Sequence, residues 1–356
     1  MKKYIPIILM VLMGMVIGGT LSYLGMDRGL DVESLVIGIV CLILFYILHI
    51  FIHEAGHLLF GKLTGYSFLS FRVFSYMIVA TENGLQFKKF HVPGTLGQCL
   101  MSPPPYEKDN YPFKLYLLGG ALLNILTSIL VAVVSWIFGE FSYLAVLFVL
   151  LGLFIGYTNI IPYSFNDGMS LKMAWNNEKM QKLLYAQFYI NAETTKGVSF
   201  LDLPEDLFEI PVSEEDTDYF SVWFHCMKMV RAMQQQDFLE AKRINDLLWR
   251  VKDKLIPMYK LEISRERLFL LSLLEEHPEE ANKLYKDKQL KRYMSLKQMA
   301  NKRILAAYEL YIQKNPQKAL KLCKEGLNLE KQNPNAADAR LERKLIEGLT
   351  RSALTL

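Results

Sequence analysis

The sequence predicts a mainly α-helical, polytopic membrane protein with about four transmembrane helices, a small β-hairpin insertion and a cytosolic α-helical repeat domain. Three observations predict it. Apolar runs fall at 5–24, 35–60, 113–138 and 143–162, each close to the roughly 20 residues that a membrane helix needs. Between the second and third runs, residues 66–105 are first rich in β-branched and aromatic side chains and then in Gly and Pro. From Tyr219 onward the chain is charged and helical in pattern, with openings that recur at a spacing of roughly forty residues.

The balance of 356 residues, 52% hydrophobic, with a formal net charge of +4, is too mildly basic to argue for a nucleic-acid partner. Cys41, Cys99, Cys226 and Cys323 are scattered with no CxxC pair, which fits reduced thiols better than a disulfide framework or a zinc ribbon.

The first run follows Lys2 and Lys3; it is long for a signal peptide, and no small-x-small cleavage site follows it, so it reads as a retained membrane helix. Asp27, Arg28, Asp31 and Glu33 precede the second run, whereas Lys62, Arg72, Lys88, Lys89, Lys108 and Lys114 follow it. The positive-inside rule therefore places the N-terminus and the segment after Gly61 in the cytoplasm, in what is expected to be the cell membrane.

The second run carries the chemistry. From Leu35 to Phe60 its strongly polar side chains are His49, His53, Glu54 and His57. His53-Glu54-Ala55-Gly56-His57 is an HExxH motif: on a helix both imidazoles project from one face and can bind one zinc ion, with Glu54 beside them to handle protons. Ionisable groups at membrane depth cost several kcal/mol unless they meet a partner or water, about 2.5–3.5 each on insertion scales, so this cluster reads as a functional site. The alternative is a polar helix–helix contact. His49 lies four residues earlier on the same stripe and is an alternative metal ligand.

Residues 66–80 and 85–92 read as two strands joined at Glu82-Asn83-Gly84, and the Gly- and Pro-rich stretch from Pro93 to Pro105 as non-helical backbone. The free edge of such a hairpin could hold an unwound substrate as an added strand, or the segment is a solvent-facing connector. In the third run Asn124 is either a helix–helix hydrogen bond or a contact to substrate. In the fourth, Gly152 and Gly156 permit close helix approach, Pro162 ends the helix and Asp167-Gly168 supplies a carboxylate on a turn. Asp167 is then a third protein ligand beside His53 and His57, leaving a coordination position open for water, or else a turn or cap residue. Asn159 and Pro162 are candidates for holding an unwound substrate strand.

These residues together, His53-Glu54-Ala55-Gly56-His57, the stretch from Gly120 to Asn124, and Asn159-x-x-Pro162 with Asp167-Gly168, resemble the site-2 protease family of intramembrane zinc metalloproteases. The resemblance covers roughly the first half of the chain. It implies a Zn2+ held by His53, His57 and Asp167 with Glu54 as general base, and with the orientation above the expected substrate is a membrane-spanning protein or peptide cut near the cytoplasmic side. Where the family usually has Leu before Asp-Gly and Gly-Pro before the third-span Asn, this chain has Asn166 and Gly120-Ala121.

The expected division is a metalloprotease domain at 1–175, a surface helix and acidic linker at 176–218, and a tetratricopeptide-like helical repeat domain at 219–356. Asp237-Phe-Leu-Glu-Ala241, Pro278-Glu-Glu-Ala281 and Pro316-Gln-Lys-Ala319 open successive helices with Ala in a similar place, which fits either such an array or an irregular helical bundle. That region would bind a protein partner or restrict access of substrate. The rival from another class is a non-catalytic membrane adaptor with a structural metal site; a di-iron lipid desaturase needs more histidine clusters than six His can supply.

Overall fold

The computed structural model describes residues 14, 18–19, 32–81, 84–92, 95–139 and 142–355. The expected span at 5–24 lies outside the described residues apart from Gly14, Gly18 and Gly19, as do Glu82-Asn83 and Pro93-Gly94. Among the described residues the chain is mainly helical, with thirteen α-helices and one four-stranded antiparallel sheet. It divides into two compact units, residues 1–65 with 112–173, and residues 66–111 with 174–356.

The first unit is built on α1 (Val32–Leu63), α2 (Phe113–Ile137) and α3 (Tyr143–Ile160), with the short α4 (Asp167–Ala174) beginning in it. Within them Val36–Leu63, Phe113–Ile137 and Tyr143–Ile160 are long and apolar enough to cross a membrane. Their outward side chains are themselves apolar, such as Ile39, Ile43 and Leu44 on α1 and Leu130, Trp136 and Ile137 on α2. A helix apolar on all sides has no preference for water on any face, which is the pattern of a span rather than of a surface helix.

The second unit holds the sheet, β1 (Ser67–Val73), β2 (Tyr76–Thr81), β3 (Gly84–Lys89) and β4 (Gly97–Ser102), in the order β3-β2-β1-β4. The expected single strand over 66–80 is two strands. Phe74 takes a left-handed φ of 53°, its N–H donating to the Leu96 carbonyl at 2.7 Å, and Val73 pairs with Tyr76 across a tight turn. The Gly- and Pro-rich stretch is non-helical, as expected, but its centre pairs with β1 through Arg72↔Gln98 and Phe71↔Cys99. Arg72, one of the cations counted after the second run, is wholly buried and donates to the carbonyls of Phe74 and Gly97 and to Thr95 Oγ1.

The sheet clusters with the C-terminal helices, whereas the sequence grouped the hairpin with residues 1–175. The reason is α5 (Glu178–Lys196), expected as a surface helix, which buries Leu183, Leu184 and Ile190 and packs on β4. The Tyr185 ring lies tilted 5.5 Å from Tyr106 and edge-on 5.7 Å from Tyr111, Phe188 lies 6.3 Å from Tyr66, and Lys108 pairs with Glu178 at 3.0 Å.

The remaining helices are α6 (Tyr219–Gln235), α7 (Phe238–Arg250), α8 (Pro257–Leu273), α9 (Pro278–Lys286), α10 (Lys288–Met294), α11 (Met299–Ala307), α12 (Pro316–Leu327) and α13 (Ala336–Leu354). The three openings read from the sequence start α7, α9 and α12, and each follows a residue of positive φ, Gln236, His277 and Lys314, that closes the turn before it. Ala241, Ala281 and Ala319 are wholly buried, so the recurrent small side chain sits where a neighbouring helix packs close. His225 is buried, its Nε2 3.3 Å from the Ser213 carbonyl, while His277 occupies one of the turns.

Candidate metal centre

On α1 the polar residues His49, His53 and His57 recur every four residues and so form one stripe on an otherwise apolar helix. That stripe meets α2 and α3 because small residues let the helices come close. A Cβ added at Gly56 would lie 2.2 Å from the Gly119 carbonyl oxygen, and one at Gly120 would lie 2.6 Å from the His53 ring. One at Gly152 on α3 would lie 2.3 Å from the His49 ring, and one at Gly156 would lie 2.7 Å from Ile125. The Gly152-x-x-x-Gly156 pair therefore does admit α2, as its spacing suggests.

Asp167 arrives from the other side, at the start of α4. Pro162 stops α3, and Asn166 then ties the turn together through four backbone groups: its Oδ1 accepts from Tyr163 N–H (3.1 Å) and Met169 N–H (2.9 Å), and its Nδ2 donates to the Thr158 (2.9 Å) and Ile161 (2.8 Å) carbonyls. Gly168 is required where this turn folds back, since a Cβ there would lie 2.1 Å from the Ile160 carbonyl oxygen.

Three side-chain atoms converge. His53 Nε2 and His57 Nε2 lie 3.1 and 3.3 Å from Asp167 Oδ2 and 3.2 Å from each other, with the two rings at 79°. His53, His57 and Asp167 are the group among the described residues whose ligand atoms could hold a metal ion, all within 4.8 Å of one another. His57 Nδ1 donates to the Tyr116 carbonyl at 2.8 Å, so its Nε2 presents a lone pair to the centre. Glu54 is buried beside them, its charge within electrostatic reach of His57.

The residues fit zinc on two counts. The donor set, two imidazole nitrogens and a carboxylate oxygen, is the set zinc takes at sites that keep a fourth position open. The separations of 3.1–3.3 Å match the edge of a tetrahedron with bonds of about 2.0–2.1 Å, which is about 3.3 Å.

The other expected residues fall elsewhere. His49 is wholly buried with both ring nitrogens engaged, Nδ1 at 3.1 Å from Asn124 Oδ1 and Nε2 at 3.0 Å from the Phe148 carbonyl, and stands outside the ligand group. Asn124, read from the sequence either as a helix–helix hydrogen bond or as a contact to substrate, is wholly buried, with Oδ1 facing His49 and Nδ2 3.3 Å from His53 Nδ1. Asn159 is half-buried and donates to the Ile155 carbonyl at 2.9 Å, and Pro162 is exposed. Gly168 shapes the centre as part of the expected Asp167-Gly168 turn, while Asn166 and the Tyr116 carbonyl shape it without a role assigned from the sequence. Asn166 was visible as a departure from the family pattern, whereas a backbone carbonyl leaves no mark on a sequence. No protein-family model matches the chain, and no curated protein or solved structure matches it either.

Proposed function

We propose that this protein is an intramembrane zinc endopeptidase of the site-2 protease type, cutting a membrane-spanning protein or peptide near the cytoplasmic side. The observation that carries the reading is the convergence of His53 and His57, beside Glu54 on a helix long and apolar enough to span a membrane, with Asp167 at the start of α4. A zinc ion held there supplies Lewis acidity toward a peptide carbonyl and lowers the pKa of water to about 7.

The chain's own residues do the rest. His53 and His57 aim Nε2 at one point, and Asp167 adds charge that compensates the cation. Glu54, adjacent to His53 in sequence and buried, accepts a proton from the attacking water and delivers it to the leaving amine nitrogen. A peptide bond inside a helix is shielded by its own hydrogen bonds, so substrate must unwind locally; Asn159 and Pro162, at the end of α3, are the residues proposed to hold it. A closed structural site, as the adaptor reading requires, needs a fourth protein ligand, and the described residues supply three.

The test is cleavage of a panel of single-span substrates by purified protein, wild type against Glu54→Gln, with zinc counted in both. Wild type cuts, and Glu54→Gln keeps its zinc while losing about 10²–10⁴-fold in rate. Equal cleavage by the two proteins removes Glu54 as the base, and zinc in both with no cleavage of any substrate favours the adaptor.

A further inference from the structure

A wholly buried histidine that binds no metal, placed one turn before the site, calls for an explanation. His49, Asn124 and His53 form a hydrogen-bonded row across three helices, which ends at the Phe148 carbonyl of α3. The polarity of that row is fixed from one end. A carbonyl only accepts, so His49 Nε2 carries a proton. A neutral His49 then has a bare Nδ1 that must accept, and the end of the Asn124 amide facing it must be the NH2. The amide oxygen is left for His53 Nδ1, which must donate to it. His53 Nε2 is thereby left without a proton and faces the metal centre.

The two ends of an amide have almost the same shape, so the hydrogen-bond network decides which is which. The structure places Asn124 Oδ1 3.1 Å from His49 Nδ1 and Nδ2 3.3 Å from His53 Nδ1, and in that orientation both nitrogens of His49 face acceptors. That demands an imidazolium, wholly buried in an apolar helix, whose hydrogen-bond partners are a carbonyl and an amide. It also puts Nδ2 toward His53 Nδ1 and the His53 proton on Nε2, 3.2 Å from His57 Nε2, where it blocks a metal. Turning the amide over gives each facing pair one donor and one acceptor and leaves His49 neutral.

The packing is shaped to the same end. Room for the His49 ring exists only because residue 152 is Gly, and the Phe148 ring lies 4.3 Å from it. Ser128 Oγ donates to the Asn124 carbonyl at 2.7 Å, anchoring that turn of α2.

We propose that His49 and Asn124 are positioning residues for the metal centre: they hold His53 in the Nδ1–H tautomer and its ring in place, as the Tyr116 carbonyl does for His57. This rests on the zinc reading above but not on the protein being a protease. Partners of this kind are worth about 10–100-fold in metal affinity.

The experiment measures zinc affinity by chelator competition and the visible spectrum of the cobalt-substituted protein, with helix content checked for each variant. Asn124→Leu removes both ends of the relay, and its zinc affinity falls about 10–100-fold with an altered cobalt spectrum. Asn124→Asp still accepts from His53 Nδ1–H and keeps affinity near wild type. His49→Phe loses several-fold, and His49→Gln, which can both accept from Asn124 and donate to the Phe148 carbonyl, restores it. Equal loss in Asn124→Leu and Asn124→Asp, or no loss in either, overturns the proposal, since packing alone or nothing at all would then be at stake. Wild-type protein that binds no zinc overturns both readings; wild type that binds zinc but cuts nothing overturns only the protease.

Discussion

At the scale of single residues, the centre depends as much on absent side chains as on present ones. Gly120 touches the His53 ring so closely that a methyl group there would lie 2.6 Å from it. His53 cannot step aside, because Nδ1 is held by Asn124 and the ring is flanked by His57. Gly120→Ala is therefore expected to lower zinc affinity by about tenfold or more with little loss of helix, a separation that chelator competition beside circular dichroism would reveal. Unchanged affinity would mean that the two helices part freely and that their close approach is not needed. The histidine pair and Glu54 were legible in the sequence because side chains four apart share a helix face. The need for Gly120 was half legible: a GG pair in a span announces close approach, but only the packed structure tells which ring it approaches.

Among elements, the turn between α3 and α4 is the one that brings a ligand from a distant part of the chain. Its hold on Asp167 runs through Asn166, whose side chain bonds four backbone groups on either side of it. Removing those bonds leaves the Thr158 and Ile161 carbonyls and the Tyr163 N–H without that partner, while Met169 N–H keeps the Asn166 backbone carbonyl, at about 1 kcal/mol for each bond lost. Asn166→Ala is expected to cost zinc affinity severalfold while α3 stays folded, and wild-type zinc affinity in that variant would show that Pro162 and Gly168 suffice to set the turn. The Asp-Gly turn and the departure at Asn166 are legible in the sequence, but the four backbone bonds that the Asn166 side chain makes arise only once the turn is folded. The sheet illustrates the opposite limit. Its fourth strand, Gly97–Ser102, lies in a Gly- and Pro-rich stretch with little strand character of its own and forms because β1 and α5 supply partners on both sides. Long-range pairing of that kind cannot be read from local propensity, and the same pairing is why residues 66–111 belong with the C-terminal helices.

For the molecule as a whole, the two units keep their buried charge in different ways, and this gives the second unit a pH dependence of its own. Arg303 is wholly buried between α8, α11 and α13, with Nε donating to Glu342 at 2.7 Å, Nη2 donating to Glu266 at 3.0 Å, and its plane 4.0 Å over the Phe269 ring. One guanidinium thus serves two buried carboxylates, with Asp338 close by. Burial, helped by Asp338 and Glu266 and opposed by Arg303, pushes the Glu342 carboxyl up to about 7, and burial pushes Asp338 up as well. The unfolded chain releases the Glu342 proton near the ordinary value of 4.5, whereas the folded chain keeps it until about 7. Between those values the folded state binds the extra proton, so stability is fully present below about pH 4.5 and falls as pH rises to about 7. The carboxylates held below their ordinary range, such as Asp246 and Glu240, act in the opposite sense but in a lower window. Amide exchange over residues 263–271 in the full chain, corrected for intrinsic rates, should therefore lose protection on the order of 2 kcal/mol between pH 5 and pH 7.5. Glu342→Gln should flatten that slope, because a neutral amide can still accept from Arg303 and leaves the cation to Glu266. A slope that survives the substitution would assign the effect to Asp338, and protection rising with pH would mean that Arg303 holds both carboxylates charged.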